Sequence, residues 1–501
     1  MRAATVFLLA ALGACNTTPP GESLTPTERA WPEPTPLDAP PLRDEALREP
    51  GCATLRDTEA GDVIHANGAG RVLYAHPEIG LAIVDVSLPD EPKLVGASSF
   101  VGSPLGVFER GEIGLVAFTP WNTEKLQTTI RAVDLAPEKK MRTLSELTLA
   151  GDARDVRRVG DVLVVTRDST ADVDGLTILT TVGFGSDGLK VRDEILLRGR
   201  GATIGSSPWG VAVARAAEKG QGIDRSAITY VSIGNDGVGS LRPHGTSVIE
   251  GAVLPWRRGG DGIIDVSEDN RVRVVACATT ACSPGTAATF ATIDFTNLEA
   301  PRTAGWSMIG NAGADGIFRF AGESLIVARQ VPGKSGVTEI VHFDAERSLY
   351  VKGSLRVRGT IAALAVQNDS VVALGWTGDA SAGKRAIVHR VDARSMRLVG
   401  SASFGDDWTW SPAWDDDRAV SFDPGSMLAA FPVTTVARSG APISAVQILT
   451  LGKVGGPRGV DMIETEAAAQ RLMFIGGRLL AFGNDGVSVV APKPSSEPLV
   501  R

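Results

Sequence analysis

No stretch of this chain stays apolar for 18 residues, so none is long enough to cross a bilayer as a helix. No extended basic stripe occurs either, and the formal charge is −8, which argues against nucleic acid as a partner. Cysteine is scarce, at four in 501 residues. A structural zinc site needs about four ligands, and no histidine or second cysteine pair accompanies Cys277 and Cys282. The five histidines, His65, His76, His244, His342 and His389, are scattered. The Gly-x-Ser-x-Gly elbow of many serine hydrolases is absent, as is a Walker-type phosphate loop. The glycine-rich run Gly183-Phe184-Gly185-Ser186-Asp187-Gly188 lies between strand patterns and reads as a turn. No long helical periodicity stands out; Ile463–Gln470 is the one segment read as a short helix.

What the chain does have is punctuation, with 57 glycines and 29 prolines marking many short elements. The first 14 residues read as an export signal: Arg2 is the charged start and Thr5–Leu12 the short apolar core. Leu12-Gly13-Ala14-Cys15 resembles the lipobox of bacterial lipoproteins, which implies cleavage before Cys15 and acylation of its thiol. The alternative is an ordinary secretory signal with a chance cysteine. Asn16 stands where many inner-membrane lipoproteins carry a retention aspartate, so the resemblance favours an outer-membrane address. Several acyl chains hold a protein firmly, since each buried CH₂ contributes about 0.8 kcal/mol. Residues 15–55 then read as the lipidated cysteine and a proline-rich tether, able to extend up to about 100 Å.

From about residue 56 to the end the pattern is one of short β-branched runs. Leu81-Ala82-Ile83-Val84-Asp85 is the clearest, with a companion at Lys93-Leu94-Val95-Gly96. The same strand-plus-aspartate recurs at Asp134, Asp294, Asp344 and Asp392. Steps of 49, 50 and 48 residues separate Asp85 from Asp134, Asp294 from Asp344, and Asp344 from Asp392. Weaker copies lie at Leu176–Leu179, Ile228–Ile233, Val446–Leu449 and Val487–Val490. A period of 40–50 residues with four short strands per unit predicts an all-β propeller, because such thin sheets bury their faces only by stacking on one another. Eight blades are expected, with seven and nine as alternatives; a string of β-sandwiches would repeat nearer 100 residues. Each repeating aspartate is read as a turn cap accepting backbone N–H groups.

These repeats resemble the Leu-Val-Ile-Val-Asp units of bacterial surface propellers, nearest at Ala82-Ile83-Val84-Asp85-Val86-Ser87. Over roughly residues 60–500 the chain is similar to a secreted bacterial and archaeal propeller family distantly related to WD-type repeats. Ser348–Leu355, Val366–Gly375 and above all Ala413-Trp414-Asp415-Asp416-Asp417-Arg418, leading into Phe422-Asp423, carry that likeness. It implies a fold and an exported location, and no common reaction.

Candidate sites are few. Cys277 and Cys282 sit at a hairpin tip in an exported chain and are read as a disulfide, two free thiols being the alternative; Cys52 is left odd. Asp168, Asp172 and Asp174 place oxygen ligands at short spacing, so calcium is the one cofactor considered, although the distal glutamate and flanking helices of an EF-hand are missing. His342 and His389 occupy equivalent strands, which favours packing over a joint metal site. The densest cluster is Gly405–Asp417, where Trp408, Trp410 and Trp414 stand among five aspartates, including Asp415, Asp416 and Asp417. It reads either as a surface for a sugar or protein partner or as wedges between sheets. The expectation is a lipid-anchored, non-catalytic binding or scaffold module for an envelope protein or glycan; the alternative is a propeller hydrolase of a lactone or glycan with an axial calcium site.

Overall fold

In the computed structural model, residues 58–490 are described apart from short internal stretches, the longest being 218–224 and 254–262. Cys15, Cys52 and the tether lie outside the described residues. The strands form nine antiparallel sheets, each a meander of consecutive strands. They cover residues 64–98, 102–150, 152–198, 203–250, 264–311, 317–358, 360–404, 421–464 and 469–490, here blades 1 to 9. Blades 1 to 8 contribute four strands each, and blade 9 shows three among the described residues.

Alternation along each strand explains the stacking. In Arg71–His76 of blade 1, Val72 and Tyr74 point to one face while Leu73 and Ala75 point to the other. The first pair packs on Leu480 and Phe482 of blade 9; the second packs on Val107, Val116 and Phe118 of blade 2. A strand buried on both faces therefore reads as a continuous apolar run, as Leu81–Val84 does. Nine apolar clusters join blade 1 to 2, 2 to 3, and so on through 9 back to 1. Nine sheets with nine interfaces make a closed ring. The fold is a nine-bladed β-propeller.

The expected count of eight is corrected to nine. Each of the nine copies of the strand pattern is the third strand of a blade, from Gly80–Asp85 to Gly486–Val490. The two weak copies between Asp134 and Asp294, Leu176–Gly185 and Arg225–Ile233, are full blades that end without the aspartate. The helix read at Ile463–Gln470 is also corrected. Ile463 and Glu464 pair with Val446 and Ala445, and Ala469 opens blade 9's inner strand, so sheet pairing overrides the local alanine-rich propensity.

First strands of neighbouring blades touch and line the axis, whereas fourth strands such as Lys93–Ser98 and Tyr350–Arg358 are mostly exposed. One strand departs from the meander. Thr58–Ala60 pairs with Asp152–Val159, the inner strand of blade 3, and so lies inside the ring. The hairpins between first and second strands share one face with the aspartate turns, as the pairing of Arg71 with Asp85 shows. Thr58 sits opposite Val159 at that same face. The loop 405–420 joins blade 7 to blade 8 at the opposite face.

Candidate functional site

The tryptophan-aspartate loop is divided by its own backbone. Trp410 exchanges both hydrogen bonds with Thr434, at 2.7 and 2.8 Å, which extends blade 8 by one pair. Ser411 then caps a 3-10 turn, Pro412–Trp414, accepting from the Ala413 N–H while its hydroxyl donates to the Pro432 carbonyl. Asp416 caps a second turn, Asp417–Ala419. These turns stand where the upper part of blade 8's inner strand would run and carry the chain toward the axis.

Three tryptophans consequently meet three environments. Trp414 is buried between blades 7 and 8, its ring 4.9 Å from that of Trp376. Trp408 and Trp410 are 57% and 45% exposed, at the face opposite the aspartate turns. Trp408 has φ of 73°, a left-handed conformation uncommon for a bulky residue. The Lys384 carbonyl accepts from the Thr409 N–H at 2.7 Å, so the loop is pinned between Trp408 and Trp410 and again at Trp410. Asp415 is exposed beside the turn. Asp406 and Asp407 lie outside the described residues.

Asp416 and Asp417 turn inward. Arg471, from the inner strand of blade 9, donates to Asp416 and, at 3.0 and 3.1 Å, to Asp62. Arg418 donates twice to Asp416 at 2.9 Å and once to the Gly61 carbonyl at 2.6 Å. Burial raises the Asp416 pKa, yet the two guanidinium groups outweigh it and hold the carboxyl below its usual range. Gly61 must be glycine here: a Cβ would lie 2.7 Å from the Leu105 carbonyl oxygen and 2.9 Å from that of Val156. Glu59 accepts from Arg158 at 3.1 Å and meets His65 at 2.6 Å. The segment 58–63 is thus tied to blades 1, 3, 8 and 9 at once. Sequence spacing gave no sign of this cluster, since Asp62 and Arg471 are 409 positions apart.

No family model matches the chain. No curated protein matches it. Among solved structures it is similar to Sqt1 from Chaetomium thermophilum, at 12% identity over 78% of this chain and 97% of that one, with a TM-score of 0.41. A 6-phosphogluconolactonase assigned as such in Bacteroides fragilis aligns at 11% identity over 84% and 98%, TM-score 0.38. The propeller domain of the Trilobed protease from Pyrococcus furiosus aligns at 8% over 69% and 92%, TM-score 0.36. At these values no activity, ligand or partner passes to this chain, and its own nine sheets establish the propeller.

The remaining sequence candidates have local explanations. Asp85, Asp134, Asp294 and Asp344 each accept the N–H two residues on, at 2.8–3.2 Å, and Asp392 accepts from Ser395. They are turn caps. His342 donates from Nδ1 to the Ala393 carbonyl of blade 7 and accepts at Nε2 from Ser324. His389 donates from Nε2 to the Arg358 carbonyl of blade 6 and accepts at Nδ1 from Ser401. Both rings stitch neighbouring blades. Asp168 pairs with Arg154 at 2.9 Å and accepts the Gly201 N–H at 3.0 Å; Asp172 and Asp174 lie outside the described residues. Cys277 and Cys282 form a disulfide, with Cα atoms 5.6 Å apart, at the connection between blade 5's second and third strands.

Proposed function

We propose that this chain is an exported lipoprotein of the outer membrane, acylated at Cys15, whose propeller is a non-catalytic binding module for an envelope glycan or protein.

 The leader's Asn16 favours the outer membrane as its address, and the repeats resemble those of the secreted propellers with Leu-Val-Ile-Val-Asp units. The observation that carries the binding reading is the exposed pair Trp408 and Trp410 on a loop pinned to Thr434 and Lys384. Rigid aromatic faces, with the exposed carboxylate of Asp415 on the same loop, suit stacking on a sugar ring and holding its hydroxyls, or anchoring a protein side chain. Placement supports the same reading. Thr58 lies at the face with the aspartate turns and the tryptophans at the other, so a tether running from Thr58 to a membrane leaves the tryptophan face turned outward.

The hydrolase reading would draw on carboxylates at the axis. Asp62 and Asp416 are there, but Arg418 and Arg471 occupy them in closing the ring. Capture from native membranes tests the binding proposal. Trp408→Ala with Trp410→Ala is expected to abolish co-purification of the partner while the melting temperature stays unchanged. Undiminished capture would reject the loop as the contact. Cys15→Ser is expected to lose fatty-acid labelling and release the protein into the soluble fraction.

A further inference from the structure

A cavity of about 230 Å³ lies near the axis between blades 6, 7 and 8, below the turn Asp417–Ala419. Part of its lining is apolar, with Ala365, Val372, Leu374 and Phe422, and three charged side chains complete it, Arg319, Asp417 and Arg418, the last of which already donates to Asp416 and the Gly61 carbonyl. The Arg319 side chain is 29% exposed and that of Asp417 23%. Their nearest nitrogen and oxygen are 3.5 Å apart. That ion pair is the one polar contact of the Arg319 guanidinium among the described residues. Five N–H donors, seven-tenths removed from water, are therefore matched by a single long contact, and such a planar fork suits a carboxylate.

A simple anion would meet repulsion from Asp417 beside Arg319. A molecule bearing both charges avoids it, with its carboxylate on Arg319 and its ammonium toward Asp417. The apolar part of the lining, Ala365, Val372, Leu374 and Phe422, then receives a short hydrocarbon side chain. The volume falls below the roughly 300–1,000 Å³ of pockets for larger ligands, which fits one small molecule rather than an oligomer. We propose that this cavity binds a free aliphatic α-amino acid, a second site separate from the tryptophan loop.

Leucine is the probe, titrated into the full chain by calorimetry and by thermal melting. 4-Methylpentanoate, which lacks the ammonium, and 3-methylbutylamine, which lacks the carboxylate, serve as its two halves. Saturable binding of leucine is expected, with each half weaker by about tenfold or more. Arg319→Gln should weaken leucine by a similar factor. Because Arg319 also joins two blades, Ala365→Leu provides a separate check: it fills the cavity, keeps the ion pair and is expected to abolish binding without lowering the ligand-free melting temperature. No saturable binding at millimolar leucine, or binding that Ala365→Leu leaves intact, would overturn the site. Equal affinity for 4-methylpentanoate would overturn its assignment to a zwitterion. Failure of partner capture by the tryptophan variants leaves this result untouched, since neither Trp408 nor Trp410 lines the cavity.

Discussion

A single residue type, aspartate, does two different jobs in this molecule. At the turns, the N–H groups of Ser87 and Thr296 hold Asp85 and Asp294 below the ordinary carboxylate range. Lys352, ahead of the Glu346 N–H, does so at Asp344, and Ser395 does so at Asp392. A carboxyl whose pKa is depressed on folding adds stability above its unfolded value, near 3.9, and that share disappears as pH falls through the lower folded value. Replacing all four by asparagine keeps the turns, so denaturant unfolding of the variant should vary less with pH below about 4 than the parent does. An equally steep acid limb would place the sensitivity elsewhere. Tryptophan is divided in the same way. Trp414→Ala should cost about 3–5 kcal/mol in unfolding free energy, as for large buried aromatics, where Trp408→Ala and Trp410→Ala cost almost nothing.

Among the elements, the segment 58–63 has the largest reach for its length. Asp62 and Arg418 keep about a fifth of their side-chain surface, 22% and 19%, so the cluster they share with Asp416 and Arg471 is nearly enclosed. Arg471→Met is expected to destabilise by about 3 kcal/mol, the low end for breaking a buried pair. Asp416→Asn combined with Arg471→Met should cost less than the two singles together by about 1 kcal/mol, because each removes the other's partner. Strict additivity in denaturant titrations would deny the coupling. Strands of this kind were legible from the chain alone, since β-branched runs ending in Asp85, Asp134, Asp294, Asp344 and Asp392 announce themselves. The strand Thr58–Ala60 was not, because three residues of mixed polarity carry no period, and its partner is about 100 positions away. The Cys277–Cys282 link was legible for the opposite reason, its separation being five. Removing it opens so short a loop that the loss should be about 2 kcal/mol.

For the whole molecule, ring closure is the distinctive feature. The described residues show no strand shared between the chain's two ends; blade 9 meets blade 1 through Leu480 and Phe482 against Val72 and Tyr74, and through His76 and Asn484 at 3.0 Å. Arg478 and Asp90 add an ion pair at the rim. Averaged particle images viewed down the axis should show nine spokes, and far-UV circular dichroism should lack a helical signal; eight spokes or substantial helix would contradict the ring described here.

The amino-acid sequence by itself determined the repeat, the strand that recurs and the turn that ends it, because these depend on neighbours within a few positions. It also determined that the units must stack, since four thin strands cannot cover their own apolar faces. The number of blades, the division of Trp408, Trp410 and Trp414, and the meeting of Asp62 with Arg471 were decided only in three dimensions. Those outcomes depend on which side chains a closed ring brings together, and contacts across hundreds of residues leave no local pattern to read.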